Sequence, residues 1–381
     1  MTNQFYHNLT EYEKSALAGV YNLADAHTHQ SQSERQRKIV AKLPQLWYEA
    51  ERYSQKHFED QFLTTFFTSQ KQETAIKLQR SLLSYSASVN MMIVANFLMK
   101  RKFTVGLVEP CFDNLPDLLW QSNVELIPIQ ENQFTGDRTQ LWNNSIDALF
   151  LVYPNNPTGF SPFTDAEGFE AFVEECKVQK KLLILDLCFS PFVGLSSNPG
   201  RFDLYEILER HHCSYIAIED TGKMWPVMDA KCSIITASED LYCDLLDIQT
   251  DVLLNVSPFI LHLLTQYIRE SQENEFEAVS EVLVPNYQYL CEKAPAMGLE
   301  VIPGNMLVSV AWLKIISNHR DALTMQHYLE QNGVHLLPGN HFFWSDRKKG
   351  LSRIRIALAR DPDRFREGID KMAELLVSWQ N

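Results

Sequence analysis

Ala148-Leu149-Phe150-Leu151-Val152-Tyr153-Pro154-Asn155-Asn156-Pro157-Thr158-Gly159 decides the reading of this chain. Its first half is a continuous apolar run, the pattern of a strand buried on both faces. Its second half is rich in Pro, Asn and Gly, which end a strand with a turn. Two later runs repeat the arrangement. Leu182-Leu183-Ile184-Leu185 ends in Asp186, and Tyr215-Ile216-Ala217-Ile218 ends in Glu219-Asp220-Thr221-Gly222-Lys223. Three strands thus each deliver a polar residue to the C-terminal edge of one parallel sheet. Open α/β sheets bind their ligands at that edge.

Working outward, strand-like runs also occur at Thr104–Val108, Val124–Pro128 and Ser233–Thr236. Helical patterns such as Asp165–Lys177 and Leu204–Arg210 separate most of them. Such β/α alternation predicts an α/β protein with a mainly parallel sheet covered on both faces. Upstream, residues 46–80 read as helical. Leu82-Leu83-Ser84-Tyr85-Ser86-Ala87-Ser88 then reads as a small-residue turn opening into a helix over Val89–Met99. Free N–H groups and the helix dipole make such a turn an anion site. Downstream, residues 250–293 read as helical. Short strands follow at Val301–Pro303, Leu307–Trp312, Leu336–Gly339 and Ile354–Leu358, then a last helix, Pro362–Trp379. The expected division is a large domain over 46–270 and a smaller α+β domain formed by 1–45 with 271–381. Near the N-terminus, Leu9–Leu17 reads as a helix. Asn8-Leu9-Thr10 followed by Glu13 reads as its capping box.

The chain has 381 residues, 45% of them hydrophobic, enough for two cores of unequal size. A net charge of −14 disfavours nucleic acid and anionic membranes, because like charges repel. Seven cysteines without a CxxC pair imply reduced thiols and no metal site. No apolar run approaches the roughly 20 residues that span a bilayer. The expectation is a cytoplasmic protein acting on a small molecule. HExxH, GxSxG and P-loop patterns do not occur in it.

The order Asn156, Asp186, Lys223 and a late Arg355, each at a strand end, resembles the fold-type-I pyridoxal 5′-phosphate (PLP) enzymes, the aspartate aminotransferase superfamily. The resemblance runs over nearly the whole chain. It implies a seven-stranded, mainly parallel sheet in the large domain, PLP as cofactor and a homodimer. A narrower resemblance is carried by Asn8-Leu9-Thr10 with Glu13, Asn22-Leu23-Ala24-Asp25-Ala26-His27, Cys111-Phe112-Asp113-Asn114, Glu219 through Pro226, and Arg355-Ile356-Ala357-Leu358. These stretches are similar to PLP enzymes of specialised metabolism that act on L-arginine and hydroxyarginine. That group includes oxidases, hydroxylases, and cyclases forming enduracididine or capreomycidine.

The resemblance implies roles. Lys223 would carry the cofactor and move protons, Asp186 would hold the pyridinium nitrogen, and Asn156 would donate to the ring oxygen. Many aminotransferases place a Tyr three residues after the Asp; here Phe189 stands there and removes a donor. Ser86, Ala87 and Ser88 would cradle the phosphate. Lys231 would add charge where an Arg is usual, and also reads as a surface lysine. Phe112 would stack on the ring, and reads equally as a core aromatic. Asp220 joins the cofactor set and, with Glu13 and Thr10, would also hold the substrate guanidinium. Arg355 would clamp the substrate carboxylate, with Arg353 and Arg360 close enough to be confused with it. Thr10, Glu13 and Asp25 would meet an arginine-like side chain. His27, with Thr28 and His29 beside it, would shuttle protons.

Phe189 departs from the simple transamination frame, and Thr28 and His29 suit protonation of a γ-hydroxyl leaving group. The expected reaction is cyclodehydration of 4-hydroxy-L-arginine to a cyclic, enduracididine-like guanidino amino acid. The alternatives are an oxygen-dependent arginine oxidase or hydroxylase, an ordinary aminotransferase, and a PLP-binding protein without catalysis.

Overall fold

The structure is a computed structural model and describes residues 6–142, 145–195, 200–316 and 320–379. After β1 (Tyr21–Asn22), seven strands form the main sheet. They are β2 (Ser81–Ser84), β3 (Thr104–Glu109), β4 (Glu125–Gln130), β5 (Ala148–Val152), β6 (Leu182–Asp186), β7 (Tyr215–Asp220) and β8 (Ser233–Ala237). Their spatial order is β2-β8-β7-β6-β5-β3-β4. Pairing is parallel from β7 across to β4, while β8 runs antiparallel to both β7 and β2. Every residue of β5, β7 and β8 is buried, as a sheet covered on both faces requires. The chain leaves β3 toward β4 on one side and returns to β5 on the other, so the order reverses at β3. Ligand crevices open at such a reversal.

A smaller antiparallel sheet follows, made of β9 (Leu299–Ile302), β10 (Val310–Ile315), β12 (Leu337–Pro338) and β13 (Arg353–Ala357) in the order β12-β13-β10-β9. Between these, β11 (Val334–His335) pairs in parallel with β1. The N-terminal segment is thereby tied to a strand more than 300 residues away in sequence. Among the described residues no helix is long and apolar enough to cross a membrane.

Two local expectations change. Leu82–Ser84 belongs to strand β2, not to a turn. Two leucines flanked by serines carry little apolar signal, and only pairing with β8 fixes the strand. The capping box at the first helix also differs. The helix starts at Leu9, and the Asn8 side chain accepts from Glu11 N at 3.0 Å. The Glu11 carboxylate reaches back to His7 N at 2.8 Å. Glu13 is therefore free of capping and points elsewhere.

Candidate active site

Because β2 runs parallel to β7, its C-terminal end lies at the same sheet edge as those of β5, β6 and β7. Antiparallel β8 begins at that edge. A cavity of about 380 Å³ opens there. Its walls come from strand ends, from the N-terminal segment and from the helices Ala87–Arg101 and Asn114–Gln121.

Ser86 caps the 15-residue helix Ala87–Arg101, its hydroxyl accepting from Val89 N at 3.3 Å. The N–H groups of Ala87 and Ser88 lie in the first turn, where a helix offers them no partner. Ser86, Ala87 and Ser88 all face the cavity. Beyond β5, the two asparagines divide the work. Asn155 is buried and donates to Pro110 O at 2.8 Å and to Glu131 Oε1 at 2.6 Å. Thr158 donates to the same Glu131 oxygen at 2.5 Å. Gly159 takes φ +65° where a Cβ would meet Met306 O at 2.7 Å. That scaffold presents Asn156 to the cavity. Its Oδ1 accepts from Arg355 Nη1 at 3.1 Å, which leaves the amide nitrogen for the cavity side.

Asp186 closes β6 and accepts from Cys188 N at 3.0 Å. Burial pushes its carboxyl above the usual aspartate range. Among the described residues no salt bridge reaches it. Asp220 closes β7 and accepts from Gly222 N at 2.9 Å. Lys223 follows, its Nζ 3.3 Å from His27 Nε2. Lys231, just before β8, brings its Nζ to 3.1 Å from the same nitrogen and to 3.1 Å from Asp229 Oδ1. A Cβ at position 222 would come within 2.8 Å of the Lys231 side chain. The glycine is what lets these groups converge.

Thr10, Glu13, His27, Phe112 and Phe189 complete the expected lining. Asn114, Cys188 and Met91 line it too and were given no role from sequence. The signal for two of them was positional: Asn114 stands two residues past Phe112, and Cys188 two past Asp186.

Three expected site residues lie outside the cavity lining. Asp25 was expected to meet substrate, but it is buried and spent on imidazoles. It accepts from His27 Nδ1 at 2.6 Å, His27 N at 3.0 Å and His29 Nε2 at 2.5 Å. Burial opposes its ionisation, yet these hydrogen bonds hold its carboxyl well below the usual range. Thr28 was expected to protonate a leaving group, but its hydroxyl donates to Lys223 O at 2.8 Å. Arg355 lies behind the cavity, fully buried between the rings of Phe112 and Phe342. Its Nη2 donates to Glu13 Oε1 at 2.9 Å and also to Ala24 O, and its Nε is buried without a partner. Desolvation lowers its pKa and Glu13 opposes that. Glu13 thus holds a guanidinium of the protein itself in this structure, rather than standing free for one from a substrate. Arg360 is excluded as a rival clamp. Its guanidinium is used on the carbonyls of Asn22, Asp25 and His27.

These residues fit PLP. The half-buried Asp186 carboxylate lacks a salt-bridge partner among the described residues, which the protonated ring nitrogen would supply. The unpaired N–H groups at Ala87 and Ser88 suit its phosphate. Lys223 and the Asn156 amide line the same cavity as these two ends.

A family model described as aminotransferase class I and II matches residues 19–372. LL-diaminopimelate aminotransferase of Chlamydia pneumoniae is 29% identical over 294 residues, covering 76% of this chain. The match spans 65% of that relative's length, just under two thirds. Among solved structures, MppP soaked with its product 2-ketoarginine superposes with a TM-score of 0.87 at 29% identity. That match covers 93% of this chain and 99% of MppP. A double mutant of Thermus thermophilus aspartate aminotransferase has a TM-score of 0.78 at 12% identity, covering 98% and 97% of the two chains, a likeness of fold.

Proposed function

This chain belongs to the aminotransferase class I and II family, a family of PLP enzymes, and from that premise we propose that it acts on the α-carbon of an arginine-like amino acid. The observation that carries the reading is the presence of Lys223, Glu13 and Asp220 in the lining of one cavity, with Arg355 directly behind Glu13. A basic amine for the α-proton, two carboxylates for a cationic side chain and one guanidinium for the α-carboxylate together describe a dibasic amino acid.

Bound PLP supplies an electron sink that makes the α-proton removable. Asp186 and Asn156 hold the ring's two polar positions, and Ser86–Ser88 with Lys231 hold the phosphate. Lys223 takes the α-proton, and His27 Nε2 stands 3.3 Å away to relieve it of that proton. Arg355 can receive the substrate carboxylate only when Glu13 lets go. Once released, Glu13 faces the incoming guanidinium. A substrate with both charges compensates both partners; one without the distal cation leaves Glu13 unpaired, at a cost of roughly 1–3 kcal/mol.

The product of the first reading is the 2-oxo acid, supported by the likeness to MppP, whose product is 2-ketoarginine. Cyclodehydration of 4-hydroxy-L-arginine is the second reading, and His27 on the cavity wall favours it. Thr28 and His29 do not: the first is bonded to Lys223 O and the second to Asp25. Incubation of the PLP-loaded protein with L-arginine and with 4-hydroxy-L-arginine, with and without dioxygen, separates the readings. Formation of 2-ketoarginine with oxygen uptake supports an oxidase. The same product only when a 2-oxo acid acceptor is added identifies an aminotransferase. Loss of water from hydroxyarginine without oxygen supports the cyclase. Inertness toward both amino acids sinks the substrate class.

The homodimer belongs to the same reading. Trp47, Tyr48, Tyr53 and Leu254 are exposed, and Tyr85 beside the phosphate cradle is partly so. Trp47 packs against Phe259, and Ser257 N donates to the hydroxyl of Tyr85, the residue before Ser86 of the cavity lining. A sedimentation mass of 44.1 kDa at working concentration would remove the dimer. The division at residues 46 and 270 is likewise proposed.

A further inference from the structure

Asp25 is buried, does not itself line the cavity, and spends both carboxylate oxygens on imidazoles. An ionised carboxylate only accepts hydrogen bonds. Both rings must therefore present an N–H to it: His27 through Nδ1 and His29 through Nε2. For neutral His27 this leaves the lone pair on Nε2. That nitrogen faces two amines, Lys223 Nζ at 3.3 Å and Lys231 Nζ at 3.1 Å. Asp229 Oδ1 lies further off, at 3.8 Å. The opposite tautomer would aim an N–H at two ammonium groups and leave a lone pair against a carboxylate.

We propose that Asp25 is a positioning residue that fixes His27 in the Nδ1–H tautomer, making His27 Nε2 the proton acceptor shared by Lys223 and Lys231. The loop that holds Asp25 is fastened by Arg360, whose guanidinium donates to the carbonyls of Asn22, Asp25 and His27. Gly222 supplies the room, since a Cβ there would come within 2.8 Å of Lys231 and 3.4 Å of His27. His29 is the second ring on the same carboxylate and is the built-in control. An Asn at position 25 has one acceptor and one donor, so it can keep the N–H of one ring and must reverse the other.

This inference rests on Lys223 being the amine that moves the α-proton, but its test does not need the substrate. Nitrogen-15 spectra of histidine-labelled PLP-loaded protein report which ring nitrogen carries the proton, and His27→Gln assigns the signal. The wild type is expected to show His27 as the neutral Nδ1–H form. Asp25→Asn is expected to reverse one of the two rings, with kcat down roughly 100-fold and KM changed little where the reversed ring is His27, and kcat near wild type where it is His29. His29→Gln, which leaves Asp25 to His27 alone, keeps the wild-type tautomer. An Nε2–H ring or an imidazolium at His27 in the wild type overturns the proposal even if no Asp25 variant folds. So does an Asp25→Asn protein that leaves both tautomers unchanged. Inactivity toward arginine with the expected spectrum would count against the proposed function alone.

Discussion

On the sheet side of the cavity, Asn156, Asp186 and Lys223 stand at or just past the ends of buried strands. On the N-terminal side, Glu13 and His27 stand on a short helix and a loop, each held by a charged partner from elsewhere. The sheet side is placed first by the ends of β5, β6 and β7, with Arg355 on Asn156 and Thr28 on the Lys223 carbonyl added to that. The N-terminal side is placed by Glu13–Arg355, Asp25–His27 and Arg360 on three carbonyls. Under the proposed function, such a site separates a fixed half for a constant cofactor from a half whose pairings a substrate would exchange.

The largest effect expected is on the fixed half. Lys223→Ala should lower turnover by roughly 1,000-fold or more with the fold intact. Borohydride reduction followed by intact-mass analysis should find PLP attached to the wild type and not to the variant; attachment to the variant would move the anchor to Lys231. On the exchanging half, Glu13→Gln should raise KM for L-arginine by about 10-fold, the loss of one charge-assisted hydrogen bond. The same variant should bind L-norvaline better than the wild type, since Arg355 is no longer capped by a charge. If both affinities fall together, Glu13 does not exchange partners.

Thr28→Val sharpens the boundary between the halves. It removes the hydrogen bond to Lys223 O and should cost about 1 kcal/mol of stability, with kcat within a few-fold. A 100-fold loss of kcat at unchanged stability would return Thr28 to the catalytic set.

A purely pH-dependent effect on stability, with none expected on turnover, lies deep in the fixed half, at Glu219. Its Oε2 is buried without a partner, Tyr205 donates to Oε1 at 3.2 Å, and burial raises its pKa to about 8. A carboxyl whose folded pKa is raised favours folding while protonated, and that contribution fades as pH climbs from roughly 4.3, the unfolded value, toward the folded one. The wild type should therefore lose melting temperature relative to Glu219→Gln between pH 5 and 8. Parallel curves for the two proteins would show the group is not buried as an acid.

Much of the fixed half was legible because its signal is local. A buried strand is a run of apolar residues, and the polar residue after it marks the edge. The run Ala148–Val152 matched to the residue, and Leu182–Leu185 and Tyr215–Ile218 gained only the polar residues that follow them. The exchanging half was less so. The motif at Asn8–Glu13 offered a cap or a ligand, and in the structure Asn8 with Glu11 makes the cap while Glu13 reaches Arg355, 342 residues on. Asp25 and Thr28 looked like substrate contacts because a polar residue beside a functional one carries no mark of which way it points.

The sequence by itself determined the α/β class, the order of the strands along the chain, and the three polar strand ends that suit PLP, because hydrophobic period and turn chemistry act over neighbouring residues. Tertiary structure alone decided that β2 joins the sheet, that Glu13 holds Arg355, and that Asp25 serves two histidines. Those are choices among charges and hydrogen bonds of similar strength, and only the packing of distant segments selects one of them.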